Sequence, residues 1–215
     1  MIRIGLIDGA LPPDWPELSG QFWCCEPDGL PLAQEHAIAM ARTFEACAGQ
    51  FALVNAVVFP GRLSASLDDV CTALDRLIQD PPDIVLCSFG IARSSVELSV
   101  ATERLLQAGS LVVASAPARG DPVYPAAFDG VVSVQGDARC MPGELSRLDL
   151  PQAMFGACPV AAGNAHIRGA SAAAAHLAGL LATVPNTTQQ PDFSGLMPFV
   201  KYVGRERKTR EVHSA

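Results

Sequence analysis

The sequence predicts a doubly wound α/β domain, in which helices cover both faces of a mostly parallel β-sheet. Hydrophobic residues make up 49% of the chain and charged residues only 17%, a composition that suits a buried sheet. Short apolar runs alternate with segments whose apolar residues recur at helical spacing, as in successive strand–helix units. At 215 residues, the chain is long enough to bury a substantial core.

Five apolar runs are predicted strands. The first is almost entirely apolar, as expected for a central parallel strand that is buried on both faces. The five strands are predicted at 2–7, 52–59, 84–90, 111–116 and 131–134. Two further stretches are rich in proline and glycine: 11–31 is predicted to be a loop, and 137–168 to hold irregular loops and short edge strands.

Four segments are predicted helices, at 34–44, 67–79, 95–108 and the stretch that follows Ser171. Pro81 and Pro82 stop the second helix, and Gly109 ends the third. The last helix is rich in alanine and apolar all round. A helix of that kind belongs inside a protein, packed closely on every side.

The composition changes towards the C-terminus. Beyond residue 184 it shifts to Asn, Thr, Gln and Pro, and the last fifteen residues hold five basic ones, namely Lys201, Arg205, Arg207, Lys208 and Arg210. We therefore expect one domain over 1–184 and a C-terminal tail over 185–215 that is surface-lying or partly disordered. The alternative is that the basic tail binds the acidic body of the protein or an acidic partner.

Charge and cysteine usage narrow the class of protein. A formal net charge of −7 argues against nucleic acid as the main partner. The apolar runs are too short to span a bilayer, and the N-terminus lacks the pattern of a signal peptide. Seven cysteines without C-x-x-C pairs suggest reduced, mostly buried thiols. We expect a cytoplasmic protein with no metal, cofactor or membrane partner.

Asp8 and His36 are the first two candidate catalytic residues. Asp8 follows the first strand, and open α/β sheets place their chemistry at the carboxyl ends of strands. The alternative is a turn-forming Asp-Gly pair. His36 lies in the first turn of a predicted helix, where the helix dipole would lower the imidazole pKa. A purely structural histidine is the alternative there.

Ser171 is the third candidate. It follows Gly169 at the start of the alanine-rich helix, where free backbone N–H groups and the helix dipole can stabilise an oxyanion. A nucleophile whose reaction creates an oxyanion would be placed there. The alternative is that Ser171 only caps the helix.

The order Asp, His, Ser along the chain is that of the subtilisins. Residues 169–179 read Gly-Ala-Ser-Ala-Ala-Ala-Ala-His-Leu-Ala-Gly and closely resemble the nucleophile segment of that family, Gly-Thr-Ser-Met-Ala-x-Pro-His-Val-Ala-Gly. Residues 83–90 are similar to the family's strand that ends in Ser-Leu-Gly, and 124–134 to its Tyr-Pro-Ala segment. The resemblance extends from about residue 2 to 183.

This resemblance implies the subtilisin-like fold and a set of site residues. Asp8, His36 and Ser171 would form a catalytic triad. Residues Ser88, Phe89 and Gly90 would bind substrate by pairing with the backbone of an extended peptide.

The chain also departs from the family's pattern. The histidine segment reads His-Ala-Ile-Ala-Met-Ala over 36–41, so His36 is supported by spacing and order rather than by its neighbours. Ala118 stands where the family has its oxyanion asparagine, and losing that donor typically costs about two to three orders of magnitude in kcat. Ser115 and Arg119 are candidates for a replacement donor.

The resemblance implies a serine endopeptidase that acts on a peptide or protein substrate. The missing asparagine and the absence of a secretion signal favour a narrow substrate range, such as the trimming of a precursor peptide. One alternative, supported by Ala118 and the altered histidine segment, is an inactive pseudoprotease that binds a peptide or partner protein. Another is a peptide cyclase or acyltransferase, in which an amine replaces water at the acyl-enzyme.

Overall fold

A computed structural model describes residues 1–29, 31–184 and 193–205 of the chain. The helices are α1 (Leu32–Glu45), α2 (Leu67–Leu77), α3 (Val96–Gln107) and α4 (Ala170–Leu181). The strands are β1 (Ile2–Asp8), β2 (Leu18–Trp23), β3 (Phe51–Val57), β4 (Ile84–Cys87), β5 (Leu111–Ser115), β6 (Val132–Gly136), β7 (Leu145–Arg147), β8 (Phe155–Ala157), β9 (Val160–Ala161), β10 (Asn164–Arg168) and β11 (Val200–Val203).

A single large sheet organises the described part of the chain, with the strand order β11-β7-β8-β6-β5-β4-β1-β3-β2. β1 lies near its centre and pairs in parallel with β3 and β4, for example Ile4 with Leu53 and Ile84. Only the β7–β8 pair in this sheet is antiparallel. The mostly parallel sheet predicted from the sequence is therefore confirmed.

Helices cover both faces of this sheet, as predicted. Alternate residues of β1 face opposite sides: Ile4 and Leu6 pack in the core under α1 and α4, whereas Ile7 packs in the core under α2 and α3. Helix α4 is buried from Ala172 to Leu181, which confirms the prediction of a helix enclosed on every side. Its position matters because its N-terminus carries Ser171.

The structure corrects two sequence-based boundaries. The segment 11–31 is not all loop, because β2 lies within it and pairs in parallel with β3 at the edge of the sheet. The half-exposed, irregular β2 has a register shift between Leu18 and Gly20, so it lacks a clear alternating pattern. Helix α1 begins at Leu32 rather than 34, which moves His36 from the first turn into the second.

The short strands expected within 137–168 are present, but they do not all lie at an edge. β8 lies inside the sheet between β6 and β7, while β9 and β10 form a separate antiparallel pair. Burial explains the position of β8: all three of its residues are buried, and their run is too short to stand out in the sequence.

Part of the predicted C-terminal tail also belongs to the sheet. A 3₁₀ helix (Phe193–Phe199) leads into β11, which pairs in parallel with β7. Leu196 in that helix is fully buried, and the ring of Phe193 packs edge-on against Phe155 at 5.4 Å. The basic residues Arg207, Lys208 and Arg210 lie outside the described residues, and the domain boundary at residue 184 stays a prediction.

No helix in the described ranges combines the length and the apolar character needed to cross a membrane. The seven cysteines are all free thiols. Three of them are buried and four are half-buried, so they are less enclosed than the sequence led us to expect.

Candidate active site

The carboxyl ends of β1 and β4 bring two candidate residues side by side. Ile7 pairs with Cys87 in the register of these neighbouring parallel strands, so Asp8 and Ser88 follow at the same edge of the sheet. Asp8 is completely buried. A buried carboxylate needs hydrogen-bond donors around it, and the structure supplies them from three elements.

Asp8 accepts hydrogen bonds from a backbone amide, an imidazole and a hydroxyl. The Gly9 N–H donates to Oδ1 at 2.7 Å, and Nδ1 of His36 lies 2.9 Å from both carboxylate oxygens. The hydroxyl of Ser88 donates to Oδ2 in a short hydrogen bond. Because an ionised carboxylate only accepts, Nδ1 of His36 must carry the proton, which leaves Nε2 as the unprotonated nitrogen.

Gly9 allows helix α1 to approach the end of β1. A Cβ atom at this position would collide with the backbone carbonyl of Ala33, which lies in the first turn of α1. The glycine is therefore required by close packing of the helix that carries His36. This explains the Asp-Gly pair at the end of β1 better than a turn does.

Asp8 also controls the charge of His36. Burial of the imidazole opposes its protonation, but the charge of Asp8 and the hydrogen bond to it outweigh burial and raise the His36 pKa above 6.5. The pKa lowering expected from the helix dipole is wrong. His36 lies in the second turn of α1, and the dipole effect fades beyond the first.

Ser171 is the second residue of α4. Gly169 occupies the N-cap position with φ 129°, a conformation that favours glycine, and it has no side chain with which to cap the helix. The Ser171 hydroxyl donates to the carbonyl of Ser88 at 2.7 Å. The alternative in which Ser171 caps α4 is therefore wrong, because its hydroxyl points to another element.

One cavity connects the candidate residues. It has a volume of about 470 Å³, and both His36 and Ser171 line it. Among the described residues, no hydrogen bond joins these two side chains. The Ser171 hydroxyl must leave the Ser88 carbonyl before it can reach the imidazole.

Residues Ser88, Phe89 and Gly90 all line this cavity, as expected for residues that contact a substrate. Sequence reasoning did not identify what Ser88 does inside the protein: its side chain binds Asp8 and its carbonyl accepts from Ser171. Substrate binding by this segment stays a prediction. The signal that could have identified Ser88 is its place directly after the strand that pairs with the one ending in Asp8.

Apolar side chains also line the cavity. Phe59 and Phe89 meet edge-on with ring centroids 6.2 Å apart. Leu63, Val70 and Ile91 also contribute to the lining. A cleft with an apolar lining and a few convergent polar groups is typical of a ligand-binding site.

The backbone N–H of Ser171 lies in the first turn of α4, where amide groups lack partners within the helix, so it is a candidate oxyanion donor. The two suggested replacements for the missing asparagine lie elsewhere. The Ser115 hydroxyl is buried and donates to the Cys87 carbonyl at 3.4 Å. Arg119 and Ala118 line a different cavity.

His176, farther along α4, has a structural role. Its Nε2 lies 3.0 Å from the carbonyl of Val160, and its Nδ1 lies 3.6 Å from the sulfur of Cys47. Burial lowers the His176 pKa, so the ring is neutral and holds α4 against its neighbours. Within the described ranges, no group of three acidic, histidine or cysteine side chains is placed to hold a metal ion.

No protein-family model and no curated protein matches the chain. Solved structures that share its fold include two proteases. The protease domain of PatA, solved as a mutant, has a TM-score of 0.61 and 18% identity, covering 84% of this chain and 78% of its own. The prenylagaramide maturation protease PagA has a TM-score of 0.60 and 16% identity, and the match covers 84% of this chain and 73% of the PagA chain. These structures confirm the predicted α/β fold.

Proposed function

We propose that this chain is a subtilisin-like serine endopeptidase in which Asp8, His36 and Ser171 act as one catalytic unit. The observation that carries the proposal is the buried hydrogen bond between Asp8 and Nδ1 of His36, at the edge of a cavity that Ser171 also lines. A carboxylate that orients an imidazole next to a hydroxyl is the arrangement that activates a serine nucleophile.

The reaction begins when the Ser171 hydroxyl turns from the Ser88 carbonyl to His36. Nε2 of His36 takes the proton while Oγ bonds to the peptide carbonyl carbon, and the imidazolium then protonates the leaving amine as the C–N bond breaks. The acyl group stays on Ser171. A water molecule then gives a proton to His36 as it attacks the ester carbonyl carbon. When the ester C–O bond breaks, His36 passes this proton to Oγ, which releases the acid and restores the serine. Asp8 stabilises the imidazolium in both stages.

The oxyanion site is weaker than in the family that the sequence resembles. The Ser171 N–H is one donor, and Ala118 offers no side-chain donor in place of the asparagine. One missing donor reduces kcat by about two to three orders of magnitude. Slow turnover suits an enzyme that cuts a few peptide bonds in a particular precursor, and PagA, which has the same fold, is named a maturation protease.

A fluorophosphonate probe tests the nucleophile. Such a probe reacts only with an activated serine hydroxyl, so the wild-type protein should be labelled and Ser171→Ala should not. Ser64→Ala is the matched control, because Ser64 lines the same cavity. We expect this control to be labelled at the wild-type rate.

Absence of labelling across roughly pH 6–9 would contradict the proposal. That outcome would favour the pseudoprotease, which the absence of a side-chain donor at Ala118 supports. If labelling occurs, a peptide library analysed by mass spectrometry separates the two chemistries. Linear fragments that gain one water indicate hydrolysis, whereas cyclic or amine-transfer products indicate a transferase.

A further inference from the structure

A second cavity opens at the same edge of the sheet, between the ends of β5 and β6. Its volume is about 150 Å³, enough for a carboxylate and a few water molecules. The chain that leaves β5 contributes Ala118 and Arg119, and the end of β6 contributes Gln135 and Gly136. Neither His36 nor Ser171 lines it, so it is distinct from the candidate active site.

Gln135 lines this cavity and has a buried polar atom without a partner. The residue is only 7% exposed, and its Oε1 is buried without a hydrogen-bond partner among the described residues. Buried polar atoms are nearly always hydrogen-bonded, so such an atom calls for an explanation. Because the oxygen and nitrogen of a carboxamide exchange places by a half-turn, Gln135 can offer a ligand an N–H donor or an acceptor.

Two arginines that line the cavity supply positive charge. Nη2 of Arg205 reaches across to the carbonyl of Ala118 at 3.4 Å, which brings the end of β11 next to the segment after β5. Arg119 is exposed, and its guanidinium has no hydrogen-bond or ion-pair partner within the described ranges. Arginine is well suited to bind a carboxylate through two parallel hydrogen bonds.

Asp137 also lines the cavity, but its charge is already neutralised. Arg139 donates to both carboxylate oxygens through its side chain, at 3.0 Å to Oδ1 and 2.7 Å to Oδ2, and Ser146 donates to Oδ2 at 2.6 Å. Burial opposes ionisation of Asp137, but these hydrogen bonds outweigh it and lower its pKa. Arg139 also donates to the Gly204 carbonyl at 2.7 Å, which holds the residue next to Arg205 in place.

The cavity lies close to the candidate nucleophile. A Cβ atom added to Gly136 would stand 3.6 Å from the carbonyl carbon of Gly169, two residues before Ser171. Gly136 ends β6, and Ser88, which binds the Ser171 hydroxyl, follows β4, two strands away in the same sheet. An extended peptide advances about 3.3 Å per residue, so a substrate held at Ser171 needs only a few residues to reach the cavity.

We propose that this cavity binds a carboxylate group of the peptide substrate, carried within a few residues of the bond that is cut. The carboxylate pairs with Arg119 and Arg205 and accepts from the Gln135 carboxamide. The assignment to a substrate rests on the proposed peptidase function, whereas the binding of a carboxylate does not. An acidic peptide would thus be selected by a basic cavity on a protein whose net charge is −7.

Titration of the ¹⁵N-labelled protein with N-acetylglycine, followed by NMR, tests the cavity without any turnover. N-acetylglycinamide, which lacks the carboxylate, is the matched ligand. We expect N-acetylglycine alone to shift the Gln135 side-chain resonances in a saturable way. The double variant Arg119→Gln with Arg205→Gln should bind at least about tenfold more weakly. The control double variant, Arg93→Gln with Arg104→Gln, removes two positive charges that do not line the cavity. It should bind N-acetylglycine as the wild-type protein does.

Equal shifts from both ligands, no shift, or unchanged binding in the Arg119 and Arg205 double variant would overturn the carboxylate site and leave the peptidase proposal intact.

Cleavage of peptide pairs that differ by Asp or Asn at one position then tests the link to the substrate. An acidic preference at one position, lost in the double variant, supports it. Equal cleavage of every pair overturns it. If no peptide is cleaved at all, the peptidase function fails, and with it the substrate assignment.

Discussion

Asp8 determines how His36 behaves as a base. The imidazole is largely enclosed, which by itself would keep it neutral, yet the neighbouring carboxylate raises its pKa. A raised pKa makes His36 a stronger base, but it also keeps the ring protonated up to a higher pH. The rate of any reaction that needs the free imidazole must therefore rise with pH.

The labelling rate of Ser171 by a fluorophosphonate should rise with pH through the pKa of His36, with a midpoint above 6.5. Asp8→Asn removes the charge that favours the imidazolium but leaves the burial that opposes it, so the midpoint should shift to lower pH and the rate at the plateau should fall. Asp14→Asn changes the same charge at an exposed position and should leave the profile unchanged. A wild-type midpoint below 6.5 would contradict this account of the pair.

Ser88→Ala should weaken both stability and labelling. The variant loses the hydroxyl that donates to Asp8, which should cost about 1.5–3 kcal/mol in the free energy of unfolding, while the backbone carbonyl that accepts from Ser171 stays. A less firmly held Asp8 should slow labelling by about 10- to 100-fold. Urea unfolding and labelling kinetics on the same samples measure the two effects.

Ser110→Ala is the control for this variant. The Ser110 hydroxyl is buried and donates to the Pro82 carbonyl at 2.6 Å, away from the site. Its loss should destabilise the protein by about 1 kcal/mol without slowing the labelling of Ser171. If both variants slowed labelling equally, the effect of Ser88 would be one of general stability.

At the scale of elements, α4 depends on close contact with α1. A Cβ atom at Gly179 would stand 2.6 Å from the carbonyl oxygen of Phe44 and 2.8 Å from Cβ of Cys47. The alanine-rich face of α4 and this glycine let the two helices approach. The same contact holds the helix that carries His36 against the helix that carries Ser171.

Gly179→Ala should therefore destabilise the protein although alanine is the better helix former. Helix propensity favours alanine by about 1 kcal/mol, but overpacking costs about 1–3 kcal/mol. Gly20→Ala places its methyl group in open space and serves as the control. Chemical denaturation measures both; a stabilised Gly179→Ala protein would show that α1 and α4 are not tightly packed here.

The central elements could be predicted from the sequence because each is long and strongly patterned. β1, β3, β4 and β5 are mostly apolar runs that are largely buried, and α4 is mostly apolar. β2 could not be predicted, since a half-exposed edge strand with an irregular register has no clear period. The start of α1 was misplaced because Pro31 at its N-cap gives no side-chain signal.

The candidate site could be predicted only in part, for a related reason. Asp8 and Ser171 stand at ends of elements that the sequence reveals, and the order of the three residues indicates His36. The hydrogen bonds of Ser88 depend on the pairing of β1 with β4, which strand patterns alone do not give. Gln135 was missed because it directly follows the predicted strand 131–134 and belongs to no recognised motif; its role depends on its position beside Arg119 in the fold.

At the scale of the whole molecule, the sheet extends beyond the part that the sequence assigns to the domain. β11 pairs with β7, and the Gly204 N–H donates to the Arg147 carbonyl at 2.8 Å. The preceding 3₁₀ helix places Leu196 in the same core as α1 and α4. This segment also brings Arg205 to the second cavity, so it contributes to both packing and recognition.

Leu196→Ala should lower the free energy of unfolding by about 2–5 kcal/mol, because it opens a cavity in the core. The next residue provides the control: Met197 is 40% exposed, and Met197→Ala should change stability by less than about 1 kcal/mol. Thermal or urea unfolding distinguishes the two. Equal, small effects would mean that the segment after residue 192 is not part of the cooperative fold.

The most direct test of the central claim is whether Asp8 and His36 act on Ser171 as one unit. Fluorophosphonate labelling rates would be measured for wild type, Asp8→Ala, His36→Ala and the double variant, since residues that act together are strongly non-additive. We predict that His36→Ala nearly abolishes labelling and that adding Asp8→Ala costs nothing further. Labelling of His36→Ala at the wild-type rate, or a double variant that loses the product of both single effects, would contradict the account.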